Sequence, residues 1–125
     1  MIVKSALKAA GDTQSKCAEV GFDWTDVWPV FDKVAEELEE VKAEVHASEP
    51  SQHNIEDELG DLLFAVVNLA RHLQVDPEIA LRKANEKFNK RFALVEQFAK
   101  PSKLQEMDAT ALEELWQKAK RALAK

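Results

Sequence analysis

The sequence predicts an all-α protein, a bundle of about five helices. Gly and Pro are scarce, with 3 and 4 among 125 residues, which leaves few positions for the tight turns that a sheet requires. Apolar residues instead recur at intervals of three and four along most of the chain, as on one face of a helix. The length fits a single domain over residues 1–125, because one core typically organises about 100 to 150 residues.

The first two helices are predicted from an end signal and an apolar stripe. The opening helix lies within residues 2–20 and is closed by Gly21, since glycine is suited to a left-handed C-terminal cap. After the aromatic-rich connection GFDWTDVWP, the second helix covers residues 30–46. Its apolar residues fall on one stripe at helical spacing, namely Val30, Val34, Leu38, Val41 and Val45.

The third helix, predicted over residues 55–74, is apolar around most of its circumference. One face carries Leu59, Leu62, Val66, Leu69 and Leu73, and a second carries Gly60, Phe64 and Val67. The one polar sector consists of Glu58, Asp61, Asn68 and His72. Such a helix needs more neighbours than a small chain supplies, so the sequence predicts a homo-oligomer in which another helix closely approaches Gly60.

The last two helices are predicted from their N-terminal signals. Asp76 is an N-cap candidate, and Pro77 suits the first position of a helix that continues to about Ala99. The fifth helix covers about 110–124 and begins with a capping box of Thr110 and Glu113.

Charge and cysteine content exclude several classes of function. A net charge of -6 and a pI near 5.1 argue against a nucleic-acid or anionic-membrane surface, because such partners are bound by clustered Lys and Arg. The single Cys17 can form no internal disulfide, so a reducing, cytoplasmic location is expected. With no apolar run of about 18 residues, the sequence predicts neither a signal peptide nor a membrane span.

Two acidic pairs have the spacing of a metal site. Glu37 and Glu40 lie three residues apart along one edge of the apolar stripe of the second helix, and Glu58 and Asp61 lie three apart on the third. Side chains at this spacing are neighbours, with Cβ atoms about 5 to 6 Å apart. Two antiparallel helices would therefore give an all-oxygen pocket suited to Mg²⁺, with Mn²⁺ as the alternative.

A plainer alternative is that these carboxylates lie on solvated helix faces or pair with Lys and Arg, as most acidic pairs in helices do. The sequence ELGD at 58–61, however, adjoins the apolar run LLFAVVNLA. Uncompensated carboxylates beside a core cost on the order of several kcal/mol, which favours a bound cation.

A row of basic residues on the fourth helix is suited to holding phosphate groups. Lys83, Lys87 and Arg91 recur every four residues. The three glycines are too scattered to form a phosphate-binding loop, so any polyphosphate must be held by metal and side chains. An ordinary solvated face that pairs with neighbouring glutamates is the alternative.

Tryptophans are candidates for contacting a base. Trp116 and Lys120, four apart on the fifth helix, would close a nucleotide pocket by stacking on the base and touching phosphate. Packing of Trp116 into the core is the alternative. Trp24 and Trp28 are assigned mainly to packing, with Trp24 as an additional candidate for lining the base.

Three segments together resemble a known family. EELEE, which contains Glu36, Glu37 and Glu40, is followed by ELGDLLF and then by KANEKFNKRF. This combination resembles the MazG-type nucleoside triphosphate pyrophosphohydrolases, and in particular the C-terminal unit of the two-unit bacterial enzymes. The likeness covers residues 19–98, which would form the core of the domain, and extends more loosely to LEELWQKAKR near the end.

The resemblance implies an all-α fold of the NTP pyrophosphatase type, completed as a homodimer or homotetramer. It also implies Mg²⁺-dependent hydrolysis of a nucleoside triphosphate to the monophosphate and pyrophosphate. The implied metal ligands are Glu37, Glu40, Glu58 and Asp61. Lys87 and Arg91 would contact phosphate, with Trp116 and Lys120 matched more loosely. Lys83 of the basic row and Asn68 of the polar sector complete the expected substrate-binding residues.

We therefore expect water to attack the α-phosphorus and expel pyrophosphate, with Glu36 or Glu37 taking the proton of the water. Two alternatives stay open. One is a non-catalytic helical oligomerisation module whose acidic sector docks a basic partner. The other keeps the chemistry but restricts it to pyrimidine deoxynucleotides, as in related all-α pyrophosphatases.

Overall fold

The computed structural model describes residues 4–99 and 103–124. These residues form five α-helices and a short 3₁₀ turn at Leu104–Glu106, and they contain no strand. The helices are α1 (Ala6–Glu19), α2 (Trp28–Val45), α3 (Gln52–His72), α4 (Pro77–Ala99) and α5 (Ala109–Leu123). The predicted all-α fold and the number of helices are confirmed. None of the described helices combines the length and the apolar character that crossing a bilayer requires.

Two helix ends form as the sequence predicts. α1 is closed by Gly21, whose φ of 88° is left-handed, and the N–H of Phe22 donates to the carbonyl of Cys17 at 2.9 Å, as in a Schellman cap. α4 begins directly after Asp76, whose Oδ1 accepts a hydrogen bond from the N–H of Glu78 at 2.9 Å. Both ends satisfy backbone groups that would otherwise lack partners.

The start of α5 differs from the prediction. The capping box of Thr110 and Glu113 is wrong, because the N-cap is Asp108, whose Oδ1 accepts the N–H of Ala111 at 2.8 Å. A carboxylate at this position also interacts favourably with the positive end of the helix dipole. Thr110 consequently lies inside the first turn, where its hydroxyl cannot cap the helix.

The chain consists of two compact units, Met1–Ala80 and Leu81–Lys125. The first contains α1, α2 and α3, and the second contains α5 and most of α4. The single domain expected over residues 1–125 therefore stays a prediction. Within the first unit, α3 packs against both α1 and α2.

α2 and α3 form an antiparallel hairpin connected by residues 46–51. Glu40 lies beside Glu58, and one turn further along, Glu37 and Asp61 border one cavity. From the pair Glu40 and Glu58 to the pair Glu37 and Asp61, the residue number falls by three on α2 and rises by three on α3. The two helices therefore run antiparallel in this register. This register places the two acidic pairs on facing sides of the hairpin.

The covered sides of α2 and α3 differ from the predicted apolar stripes. Val30 is buried, but Leu38 of the same stripe is 44% exposed, whereas the adjacent Glu37 is only 7% exposed. On α3, Ala65 and Val67 are buried. Several larger apolar side chains of α3 remain exposed, namely Leu59, Leu63, Phe64, Val66 and Leu73. On α2, a buried glutamate thus lies next to a residue of the predicted stripe that is itself exposed.

In the second unit, side chains of α4 and α5 meet at aromatic rings and small apolar residues. The ring centroids of Phe88 and Trp116 are 4.9 Å apart. Val95 of α4 and Ala119 of α5 are buried. Ala84 and Phe88, nearer the start of α4, are exposed.

Candidate functional site

The hairpin of α2 and α3 brings three carboxylates together. One oxygen each of Glu37, Glu40 and Glu58 lie within 4.8 Å of one another. The spacing of three residues places Glu37 and Glu40 on one side of α2, and the antiparallel register brings Glu58 opposite them. We refer to Glu37, Glu40 and Glu58 as the carboxylate cluster. Asp61 lies outside this cluster and is exposed, but it lines a cavity together with Glu37.

Two oxygens of the carboxylate cluster are buried without a partner. The Oε1 of Glu37 pairs with the Nζ of Lys33 at 3.2 Å. The Oε2 of Glu37 and the Oε2 of Glu58 have no hydrogen-bond partner among the described residues. An ionised carboxylate that is buried and unpaired is costly, and such groups in native proteins are paired or coordinate metals. The cluster is therefore short of positive charge or of hydrogen-bond donors.

Lys33 is the basic side chain that contacts the carboxylate cluster. Its hydrogen bond to Glu37 and the nearby charge of Glu36 raise the pKa of Lys33 above its ordinary value, so the ammonium group stays protonated. The Nζ of Lys33 lies 3.5 Å from Glu36, whose side chain is 57% exposed and lies outside the cluster. Of the two residues expected to accept a proton from water, only Glu37 is buried next to the other carboxylates.

The donor set fits a hard divalent cation. Mg²⁺ binds oxygen ligands at about 2.0 to 2.1 Å, so ligands on opposite sides of the ion are about 4.2 Å apart. Three carboxylate oxygens within 4.8 Å of one another are close to that separation. All three groups offer oxygen only, which suits Mg²⁺ or Mn²⁺ and not the softer metals that prefer sulfur. A bound cation would also be a partner for the two oxygens that have none among the described residues.

A cavity of about 730 Å³ adjoins the carboxylate cluster inside the first unit. It is bordered by α1, by the connection between α1 and α2, and by α2 and α3. Glu37 and Asp61 line it, together with the aromatic residues Phe22, Trp24 and Phe64. The volume lies in the range of about 300 to 1,000 Å³ that is typical of small-molecule sites. Trp24 is thus placed where the sequence made it a candidate for lining a base.

A polar network fixes the connection between α1 and α2 against α3. Arg71 NH2 lies 2.6 Å from the Oδ1 of Asp23, and the Nε2 of His72 lies 3.0 Å from the same oxygen. The hydrogen bond from Arg71 lowers the pKa of Asp23 to about 2. Asn68 lines the cavity, and its Oδ1 accepts from the Nε of Arg71 at 3.1 Å. The network therefore holds the segment that carries Trp24.

Gln14 is a cavity residue that sequence reasoning missed. Its side chain is buried, and its Nε2 donates to the backbone carbonyl of Phe64 at 2.9 Å. A signal was present, because Gln14 shares its side of α1 with the small residues Ala10, Cys17 and Ala18. A long polar side chain among small residues on a packed face indicates a buried hydrogen bond.

The second unit contains the other residues expected to bind substrate. The guanidinium of Arg91 lies 5.6 Å from the ring centroid of Trp116, and the Nε of Arg91 is buried without a partner among the described residues. Trp116 is half-buried and packs against Phe88. Three further basic side chains are exposed, namely Lys83, Lys87 and Lys120. Trp28, which was assigned to packing, is exposed and stacks only on Phe31 within the described chain, at 5.3 Å.

Comparison with known proteins agrees with the resemblance noted from the motifs. The MazG nucleotide pyrophosphohydrolase domain matches residues 30–95, a segment that contains Glu37, Glu40, Glu58 and Asp61. A nucleoside triphosphate pyrophosphohydrolase of Escherichia coli strain K12 is 51% identical over 118 residues, which are 93% of this chain and 45% of that relative. The nucleoside triphosphate pyrophosphohydrolase/pyrophosphatase MazG of Thermotoga maritima is 45% identical over 117 residues, 92% of this chain and 44% of the relative.

A third relative, the uncharacterized protein YabN of Bacillus subtilis, is 44% identical over 73 residues, which are 57% of this chain and 15% of that protein. The chain thus spans less than half the length of the curated relatives that it matches.

Proposed function

Because the chain belongs to the MazG nucleotide pyrophosphohydrolase domain family, we propose that it hydrolyses nucleoside triphosphates to the nucleoside monophosphate and pyrophosphate. The observation that carries this proposal is the carboxylate cluster, in which Glu37 is buried, beside a cavity of nucleotide size. Neither feature alone identifies the chemistry. Together they offer a place for a polyphosphate and a means of offsetting its charge.

In this proposal Glu37, Glu40 and Glu58 hold a divalent cation, with Asp61 at the edge of the same site. Mg²⁺ is the proposed ion, and Mn²⁺ would satisfy the same oxygens. A bound cation would polarise a water molecule and offset negative charge on the phosphate groups.

The side chains supply the remaining chemistry. Water attacks the α-phosphorus, the bond from that phosphorus to the bridging oxygen of the β-phosphate breaks, and pyrophosphate leaves with the bonding electrons. A carboxylate takes the proton of the water, and Glu37 is better placed than Glu36 because it is buried beside the other carboxylates. Lys33 places a protonated ammonium group at the wall of the cavity, where it would balance charge on the departing phosphates.

The second unit contributes proposed substrate contacts that rest on the family resemblance. Lys87 and Arg91 remain the expected phosphate contacts, with Lys83 in the same row. Trp116 and Lys120 remain the expected contacts of the last helix. The contact between Arg91 and Trp116 supports this set, because it preorganises a guanidinium beside an aromatic ring.

We also propose that the protein is a homodimer or homotetramer and that it acts in the cytoplasm. The exposed apolar side chains of α3 support an interface, and Leu63 alone is 53% exposed. A Cβ at Gly60 would meet nothing within 4 Å among the described residues, and we propose that a helix of another copy approaches it. The cytoplasmic location rests on the single Cys17.

The test is incubation with each common ribo- and deoxynucleoside triphosphate, with and without Mg²⁺, followed by product analysis. Formation of the monophosphate and pyrophosphate is expected, and it should be lost in Glu58→Gln and Asp61→Asn while the helical circular-dichroism signal remains. Glu39→Gln is the matched control, because Glu39 is exposed and pairs with Lys42 on the outside of α2. A narrow preference for pyrimidine deoxynucleotides would select the restricted form of the activity. No product from any triphosphate would favour the oligomerisation module.

A further inference from the structure

Asn68 of α3 has a side-chain amide whose orientation is fixed by Arg71. Its Oδ1 accepts hydrogen bonds from the Nε of Arg71 at 3.1 Å and from the Nη2 of the same guanidinium at 2.9 Å. These two bonds use both acceptor positions of the oxygen. If the amide were reversed, its NH₂ group would face two N–H donors, so its two ends cannot exchange. Arg71 is held in turn by Asp23, 2.6 Å away.

The Nδ2 group of Asn68 is the end of the amide that remains for a ligand. It makes no hydrogen bond within the described residues, and it is not one of their buried atoms that lack a partner, so solvent can reach it. The residue is half-buried and lines the cavity that adjoins the carboxylate cluster. Because Nδ2 carries two N–H donors and no acceptor, Asn68 can offer a ligand in the cavity donors only.

The position of Asn68 along α3 places it away from the carboxylate cluster. Asp61 and Asn68 lie seven residues apart, which is almost two helical turns, so they share one side of α3 and are about 10 Å apart along its axis. Asp61 lines the cavity together with Glu37 of the carboxylate cluster. A nucleotide whose α-phosphate lies at the cluster would therefore extend its base toward Asn68.

The surroundings of Asn68 suit an uncharged base better than a phosphate group. Phe64, one turn earlier on α3, and Trp24, which follows Asp23, also line the cavity. Aromatic side chains of this kind stack on bases with little distinction between them. The charges of Asp23 and Arg71 are paired with each other, so they leave no net charge for a phosphate. Discrimination between bases then depends on polar contacts with the base edge.

We propose that Asn68 is a specificity-determining residue, whose Nδ2 donates a hydrogen bond to an acceptor on the edge of the substrate base. This proposal rests on the proposed hydrolysis of nucleoside triphosphates. The ligand class is a base with a carbonyl oxygen or an unprotonated ring nitrogen at the contacted position. A base that lacks this acceptor leaves the amide donor unpaired once the cavity is filled, and its triphosphate is used less well.

The test compares each parent triphosphate with analogues in which one acceptor is removed or weakened. C–H replaces a ring nitrogen in 1-deaza-, 3-deaza- and 7-deaza-ATP, in 3-deaza- and 7-deaza-GTP, and in 3-deaza-CTP. Sulfur replaces a carbonyl oxygen in 6-thio-GTP, 2-thio-CTP, 2-thio-UTP and 4-thio-UTP. For the wild-type protein, at least one analogue should have a kcat/KM about tenfold or more below that of its parent.

Asn68→Asp separates the donor from the contact with Arg71. The carboxylate keeps an oxygen that accepts from Arg71, but it has no N–H to donate. The added negative charge lowers the use of parent and analogue alike, so their ratio isolates the base contact. In this variant the parent should exceed the analogue by less than about twofold. Asn68→Ala, which lacks both groups, is a second variant that should give the same ratio, and circular dichroism checks that both variants fold.

Gln52→Glu is the matched control. It makes the same change from amide to carboxylate on α3, but Gln52 is exposed at the start of the helix and does not line the cavity. This control should keep the wild-type ratios.

The outcomes separate the two proposals. If the wild-type protein hydrolyses triphosphates but uses every analogue as well as its parent, the role of Asn68 is refuted and the proposed function stands. The same holds if Asn68→Asp discriminates as the wild type does, because Asn68 then only holds Arg71. If no parent triphosphate is hydrolysed, the proposed function is refuted, and the role of Asn68 with it.

Discussion

Glu58→Gln should stabilise the protein in the absence of a divalent cation and should abolish the additional stabilisation that the cation gives the wild type. In metal-free buffer, the side chains of Glu37, Glu40 and Glu58 place negative charges within 4.8 Å of one another. Two unit charges at that separation repel by about 3.5 kcal/mol at an effective dielectric constant of about 20. Lys33 offsets part of this repulsion through its contact with Glu37.

Removal of one charge should therefore raise the free energy of unfolding in metal-free buffer by about 1 to 3 kcal/mol, or the melting temperature by roughly 4 to 12 °C. The neutral amide keeps the shape of the side chain, so no cavity is formed. A cation at 100 times its Kd should stabilise the wild type by about 2.7 kcal/mol, and this gain should be absent from the variant.

Thermal unfolding measured in chelator and in excess Mg²⁺ tests both arms of the prediction. Glu39→Gln serves as the control, since Glu39 is exposed and lies outside the cluster. It should leave both melting temperatures within about 2 °C of the wild type. The reasoning is refuted if Glu58→Gln lowers the melting temperature in chelator, or if Mg²⁺ stabilises the variant as much as the wild type.

Four further predictions concern other parts of the molecule. Arg91→Ala should lower kcat/KM for a triphosphate about tenfold or more, because the variant lacks the proposed charged contact with phosphate. An unaltered value would limit Arg91 to packing on Trp116. Asp23→Ala should raise KM several-fold, because the segment that carries Trp24 is no longer held by Arg71; an unchanged KM would contradict this. The pKa of Asp23 is lowered in the folded protein to about 2 from 3.8. The ionised Asp23 therefore stabilises the folded protein fully above about pH 4, and this contribution is lost as the pH falls through about 2. The difference in free energy of unfolding between the wild type and Asp23→Ala, measured in urea, should shrink over that interval. Leu63→Glu should convert the proposed oligomer to a monomer in analytical ultracentrifugation with little loss of helicity, because Leu63 is exposed in the single chain. An unchanged sedimentation coefficient would contradict this.

Helix ends were predictable where one residue dominates the local geometry. Gly21 closes α1 because its left-handed φ is costly for other residues, and Asp76 caps α4 through its own side chain. The start of α5 was missed because two N-cap candidates lie within three residues of each other. Asp108 is the N-cap in the structure, and local spacing alone does not rank it above Thr110.

The carboxylate cluster could be predicted from the sequence because both features that determine it are local. The spacing of three residues sets the pairs on each helix, and the short connection at 46–51 sets the antiparallel register. The sides of α2 and α3 that are buried could not be predicted in the same way. A helix such as α3, apolar around most of its circumference, does not reveal which side faces the hairpin, and the small Ala65 is buried while the larger Leu63 is exposed.

Contacts between distant parts of the chain were the hardest to predict. Gln14 bonds to a carbonyl 50 residues away, and Asp23 bonds to Arg71 across 48 residues. No spacing rule connects positions so far apart, since their proximity depends on how α1 and its connection pack on α3. A buried glutamine among small residues was the sole local sign of the first contact.

Direct titration of Mn²⁺ into the metal-free protein, followed by the electron paramagnetic resonance of the free ion, tests most directly whether the carboxylate cluster binds a divalent cation. The account predicts saturable binding to the wild type and to Glu39→Gln, with affinity at least about tenfold weaker in Glu40→Gln, which loses one oxygen ligand. Absence of saturable binding, or equal affinity in all three proteins, would contradict it.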